Sequence, residues 1–190
     1  VRIDKGDPFL VRKILEAGAE ALVLPDIETK EEVEDLVRSA KFPPRGIRGF
    51  GRQCFSARWG ADADEEYLNW SDSEIMIGVV IETEVAVTRI DEIMSTAGLD
   101  FVLFGPNDYS MSIGLRGQWK NNPKVHKAIQ KTVEAGQKYN VPVGFGVGHP
   151  WAEEAEKYIA MGCRMIEIGH DLSNLRAVWR DMSARIRKIT

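Results

Sequence analysis

The sequence is poor in the residues that build metal and redox motifs. Its 190 residues contain two cysteines, Cys54 and Cys163, and three histidines, His126, His149 and His170. The cysteines share no CxxC spacing and the histidines no HExxH spacing, which excludes a local dithiol motif and a helical zinc motif. One disulfide is arithmetically available, but a reduced, cytoplasmic protein fits better. No apolar run approaches the roughly 18–20 residues that span a bilayer, and no secretory leader is expected. The formal net charge is −4 and no Lys/Arg block occurs, so nucleic-acid and membrane partners are not expected.

What is present is a balanced globular composition, 44% apolar and 28% charged, and a repeated phrase. The phrase occurs as "EAGAEALVLP" (16–25), "TAGLDFVLFGP" (96–106) and "AMGCRMIEIG" (160–169). Each copy has a small residue, a glycine suited to ending a helix, one or two polar residues, and a short apolar run closing on Pro or Gly. That order reads as helix end, tight turn, buried strand and loop.

Between the copies lie helical patterns with start signals. Asp7-Pro8 precedes Phe9, Leu10, Ile14 and Leu15. Thr29 and Glu32 match a capping box ahead of Val33, Leu36 and Val37. Asn122-Pro123 opens a helix carrying Val125, Ile129 and Val133, and Pro150 to Met161 reads as another. Leu172, Leu175, Val178, Trp179, Met182 and Ile186 stripe the last helix, within 171–190.

Strands are therefore expected near 1–3, 21–25, 76–82, 100–105, 141–147 and 164–169. "GIRGFG" (46–51) reads as a further strand or an ordered loop. Alternating β and α elements imply either an open doubly wound sheet or a closed barrel. The preferred expectation is one domain over 1–190, the C-terminal three-quarters of a (β/α)8 TIM barrel, with the first one or two β/α units absent from this chain. Residues 1–190 alone are then expected to be inactive, because an incomplete barrel exposes sheet edges. The stretch 52–75 breaks the alternation. Its Phe55, Trp59, Tyr67 and Trp70 suit a lid, a subunit contact or a loop folded over a barrel end.

Parallel barrels collect their chemistry at the C-terminal strand ends. There "VVIETE" finishes a strand on Glu82, and "VLFGPNDYS" sets Asp108 just beyond the next. Adjacent parallel strands lie about 4.8 Å apart, so these carboxylates can converge on one hard cation such as Mg²⁺ or Mn²⁺. The alternative is a favourable acidic charge at a helix start. Arg2, between apolar neighbours in "VRI", is either a bidentate clamp for a substrate carboxylate or an internal ion pair. No lysine falls inside a predicted strand, so imine chemistry is disfavoured unless further barrel units supply one. "GFGVGHP" (144–150) with Gly169 suits a phosphate cradle or close rim packing equally, and His149 and His170 read as rim residues.

In consecutive order, "VR" at 1–2, "EAGAEALVLP", "FPPRGIRGFG", "VVIETE" and "VLFGPNDYSMSIG" resemble the HpcH/HpaI aldolase family, in the citrate lyase β-subunit-like superfamily. The resemblance covers essentially the whole chain. It implies a metal-dependent lyase that reversibly cleaves a 4-hydroxy-2-oxo acid into pyruvate, or a close analogue, and an aldehyde. By the same resemblance Glu82 and Asp108 match the metal-binding carboxylates, for Mg²⁺, Mn²⁺ or Co²⁺. Arg2 matches the catalytic arginine that holds the pyruvate carboxylate and oxo group, and the amides of Asn107 and Asp108 match substrate-binding groups.

Two departures stand out. Many relatives carry Gln two residues before the metal-binding Glu, where this chain has Val80. The family's proton-transfer loop would precede Val1. The family also packs its final helix on a neighbouring subunit, commonly in hexamers, so a homo-oligomer is expected. Condensation or acyl-CoA cleavage on the same barrel, and a non-catalytic small-acid-binding barrel, are the alternative readings.

Overall fold

The computed structural model describes residues 1–5 and 7–189. Five parallel strands pair in strict chain order: β1 (Ala21–Leu24), β2 (Met76–Ile81), β3 (Phe101–Phe104), β4 (Val143–Val147) and β5 (Met165–Ile168). An open doubly wound sheet reverses its strand order at a switch point. This order never reverses, which is the pattern of a barrel wall.

The expected strand at 1–3 is reduced to a single parallel bridge between Arg2 and Val23. Ile3 N–H donates to Val23 O at 3.0 Å and Val23 N–H to Val1 O at 2.9 Å. The chain then turns at Asp4-Lys5 toward the first helix, so the ladder stops there. The "GIRGFG" stretch is a loop, with Gly46, Ile47 and Arg48 N–H groups bonded back to residues 38–42.

Local signals account for most helices. In α1 (Pro8–Glu16), Asp7 accepts from the N–H groups of Phe9 and Leu10, and Pro8 occupies the first turn. In α2 (Lys30–Ala40), Thr29 and Glu32 form the reciprocal capping box. Two short helices, α4 (Glu84–Thr88) and α5 (Ile90–Met94), follow β2, and α6 (Pro106–Ser112) follows β3. Asn122 caps α7 (Pro123–Tyr139), while α8 (Trp151–Ala160) and α9 (Asp171–Ile186) complete the series. The glycines of the three repeated phrases, Gly18, Gly98 and Gly162, all adopt left-handed φ (99°, 87° and 104°) at the turns into β1, β3 and β5.

Side-chain alternation splits each strand between two surroundings. Ile77, Val79 and Ile81 of β2 are fully buried against the helical layer, with Val102 and Phe104 of β3 and Phe145 of β4. Burial of each aliphatic side chain contributes roughly 1.5–3 kcal/mol. The opposite face carries Val80, Leu103 and Gly144, which pair across β2, β3 and β4, and Val80 and Leu103 line the cavity on that face.

Residues 52–75, which the sequence left as an irregular stretch, hold a 3₁₀ turn (Phe55–Gly60) and α3 (Asp64–Glu74). Phe55 lies against Gly18, and α3 runs directly into the start of β2, so this segment packs at the N-terminal pole of the strands. Phe42, Cys54, Ala57 and Tyr67 form a satellite core there. Two buried cations fasten it. Lys41 Nζ donates to the carbonyls of Ser71, Asp72 and Ile75 at 3.0–3.2 Å. Arg48 donates to Tyr67 Oη at 2.9 Å and lies 4.5 Å above the Phe42 ring. A lid over the opposite pole is therefore not what this segment forms.

The final helix behaves unlike the others. None of its residues is buried, and Leu172, Leu175, Val178, Trp179, Met182 and Ile186 are all exposed. Ile168 at the end of β5 is also uncovered. The docked position expected of a helix closing its own barrel is not adopted. The helix ends before residue 190, which with residue 6 lies outside the described residues. No helix among the described residues is long and apolar enough to cross a membrane.

Candidate active site

At the C-terminal strand ends lies a cavity of about 760 Å³. Arg2, Glu82, Asn107 and Asp108 all line it, as do Val80, Gly105, Gly146 and Gly169. The backbone explains the convergence. β2 ends at Ile81, so Glu82 is the first residue beyond the ladder, and Thr83 then caps α4 by accepting from Ala86 N–H at 3.1 Å. A strand that must release its chain into a helix leaves its last inward position at the mouth, where a carboxylate can meet polar partners.

Glu82 is only 3% exposed. Its Oε1 accepts from Asp26 N–H at 2.9 Å, and no hydrogen bond reaches Oε2 among the described residues. Asp26 follows β1 in the left-handed region (φ 54°), which aspartate tolerates better than most residues. Gly105 makes room for the carboxylate: a Cβ there would lie 2.7 Å from Glu82 Oε2. Burial pushes the Glu82 carboxyl above the ordinary range, while the Asp26 N–H opposes that rise; the charges of Asp26 and Asp108 add to it and Arg2 opposes it. Glu82 thus feels both of its expected partners.

Asp108 and Asn107 lie in the first turn of α6 and are exposed, and Arg2 is exposed with no side-chain hydrogen bond or ion pair among the described residues. No cluster of three or more His, Cys, Asp or Glu suited to a metal occurs among the described residues. The donor set is two carboxylates, one of them buried with an unpartnered oxygen and both repelling each other. That fits a hard divalent cation whose remaining positions are taken by water and substrate oxygens.

The glycine run 144–150 divides. Gly146 and Gly148 line the cavity, but Gly148 N–H already donates to Glu154 Oε2 at 3.0 Å. A carboxylate fills the slot that a phosphate would need. His170 faces the cavity, whereas His149 packs edge-on against Trp151.

Other residues at or beside the cavity do not stand out in the sequence. Asp26 acts through its backbone, which leaves no signature. Lys120 and Glu154 pair at 3.2 Å across the rim, joining elements 34 residues apart. Glu167 lies within β5 between two isoleucines. Its signal was available, since an acid at an inward strand position repeats the logic of Glu82.

A parallel barrel wall with charged groups gathered at its C-terminal mouth is the arrangement in which barrel proteins place their chemistry, at the strand ends. The HpcH/HpaI aldolase/citrate lyase family model matches residues 1–177, and the chain belongs to that family. A hydroxypyruvate/pyruvate aldolase from Delftia acidovorans is 35% identical over 179 residues, covering 93% of this chain and 64% of that protein. A 5-keto-4-deoxy-D-glucarate aldolase from Shigella dysenteriae is 31% identical, covering 99% of this chain and 72% of that protein. The crystal structure of a family protein from Burkholderia cenocepacia superposes with a TM-score of 0.89 at 29% identity, over 98% of this chain and 73% of that one. The chain therefore spans about two thirds to three quarters of the length of these relatives.

Proposed function

We propose that the protein is a divalent-metal-dependent aldolase, a carbon–carbon lyase that reversibly cleaves a 4-hydroxy-2-oxo acid to pyruvate, or a close analogue, and an aldehyde. One observation carries the reading: Glu82, Asp108 and Arg2 face a single cavity at the strand ends. It is supported by relatives whose names are hydroxypyruvate/pyruvate aldolase and 5-keto-4-deoxy-D-glucarate aldolase.

Glu82 and Asp108 would hold Mg²⁺, Mn²⁺ or Co²⁺, and such an ion, when bound, supplies Lewis-acid polarisation of a 2-oxo group. The protein's own groups do the positioning. Asp26 N–H fixes one oxygen of Glu82, so the other turns to the cavity. Arg2 clamps the substrate carboxylate, with its planar fork matched to two oxygens. The amides of Asn107 and Asp108, without carbonyl partners among the described residues, donate to the same carboxylate. Val80 and Leu103 form an apolar wall of the cavity.

Exchange of pyruvate methyl protons in D₂O by the full-length protein tests this reading. Exchange that requires a divalent ion and stops with EDTA is expected. Exchange indifferent to EDTA, or none at all, overturns it.

The same reading makes the protein a homo-oligomer, with a hexamer expected. The bare apolar stripe of α9 and the uncovered Ile168 would be buried on a second copy. A cytoplasmic location accompanies it, in keeping with two buried, unpaired cysteines; cell fractionation tests that placement.

A further inference from the structure

The inner row at the cavity floor is built from four neighbouring strands. Gly105 N–H donates to Ile81 O at 3.0 Å, which carries the β2–β3 register on to Glu82 opposite Gly105. Phe104 pairs with Phe145, so the same register sets Gly105 beside Gly146. Gly146 pairs with Glu167. The row is Glu82, Gly105, Gly146, Glu167: a carboxylate at each end and two residues without side chains between.

Both carboxylates lean inward over the glycines. A Cβ on Gly105 would meet Glu82 Oε2 at 2.7 Å, and one on Gly146 would lie 3.7 Å from Glu167 Oε2. Three strand spacings separate the row's ends by roughly 14 Å along the sheet. The two side chains reach in over the glycine floor from opposite ends of the row. Glu82 belongs to the metal and keto end in the reading above. Glu167 stands where the other half of a substrate would lie.

Glu167 has no assigned partner. Its side chain makes no hydrogen bond or ion pair among the described residues. The nearby cation, Lys120, is already engaged by Glu154. That end of the cavity therefore carries two acids, Glu154 and Glu167, against one lysine, with His170 and Ser173 beside them. An ionised carboxylate accepts hydrogen bonds and donates none. It favours a hydroxylated chain and repels a second carboxylate at short range.

We infer that Glu167 selects the aldehyde half of the substrate, favouring neutral hydroxylated aldehydes over aldehydes that carry a carboxylate. The assignment rests on the aldolase reading, and the experiment separates the two. Full-length protein is assayed for aldol addition of pyruvate to glyceraldehyde and to tartronate semialdehyde, which differ only by CH₂OH against COO⁻. Unaltered protein should prefer glyceraldehyde in kcat/KM. Glu167→Gln and Glu167→Ala should move that ratio at least tenfold toward the anionic aldehyde, mainly through KM of the aldehyde. Metal-dependent pyruvate deuterium exchange should stay within twofold, which a general loss of structure would not allow. Should the Ala variant fold poorly, the near-isosteric Gln variant carries the test. An unchanged ratio with exchange intact overturns the role of Glu167 alone. Lack of metal-dependent exchange in unaltered protein overturns the aldolase reading and this assignment with it.

Discussion

The backbone N–H of Asp26 donates to Glu82 Oε1 at 2.9 Å, joining residues 56 apart in sequence across the ends of β1 and β2. That bond orients a buried carboxylate whose proton affinity is raised, chiefly by burial. The sign of the linkage follows. A carboxyl that binds its proton more tightly when folded than when unfolded favours the fold below its unfolded pKa. The advantage is lost as pH rises through the folded value. Once ionised, and without metal, Glu82 therefore weighs against the fold. Glu82→Gln, which keeps an acceptor for Asp26, should lower metal-dependent pyruvate exchange by at least about 100-fold, in the range lost with one electrostatic catalytic group. In EDTA its melting temperature should equal or exceed that of the parent. A variant that is both active and less stable would refute this account of the pair.

Gly105 is required for space rather than for backbone freedom, since its φ is −99°. A methyl there meets Glu82 at both Oε2 (2.7 Å) and Cβ (2.8 Å), so a rotation of the carboxylate alone cannot clear it. Gly105→Ala should cost about 1–3 kcal/mol in denaturant unfolding, the usual cost of overpacking. Divalent-ion affinity measured by calorimetry should fall with it. Retention of both quantities would show that the mouth is looser than its geometry implies.

Lys41 is 3% exposed and caps α3 from outside, by donating to three carbonyls. Lys41→Met should destabilise the protein by about 2–4 kcal/mol, because the Ser71 and Ile75 carbonyls lose this donor while Asp72 keeps only Arg45. Exchange activity at a temperature where the variant is folded should be unchanged, because the cap lies at the pole away from Glu82. Measured together, the two readouts separate a structural cation from a catalytic one.

Trp179 is 64% exposed on a helix with no buried residue. Trp179→Ala, or Leu175→Ser on the same stripe, should lower the solution mass measured by light scattering, toward smaller assemblies at micromolar concentration. An unaltered mass would show that α9 is not the subunit contact.

What could be read from the sequence was local in origin. The Asp7-Pro8 start, the Thr29–Glu32 box and the Asn122-Pro123 start each act within one turn, and each occurs where the pattern put it. The three glycine phrases fixed the turns into β1, β3 and β5, and the strand-end rule brought Glu82 and Asp108 to one cavity. Long-range effects were not legible. α3 has weak periodicity and ends on Lys41, the residue just past α2, so nothing within 64–74 announces its stop. The single bridge at Arg2 reads as a strand in the sequence, because an apolar-charged-apolar triplet looks alike whether one residue pairs or three. Glu167 carries a local mark, an acid at an inward strand position, but the glycine floor that sets it opposite Glu82 depends on the register of other strands.

The separation of α3 from the mouth has a practical consequence. Fasteners such as Lys41 and Arg48 occupy one pole, and the candidate site residues occupy the other, with strand interiors between. Thermal robustness can then be engineered into the satellite cluster by filling or rewiring it, while substrate choice is altered independently at the far rim.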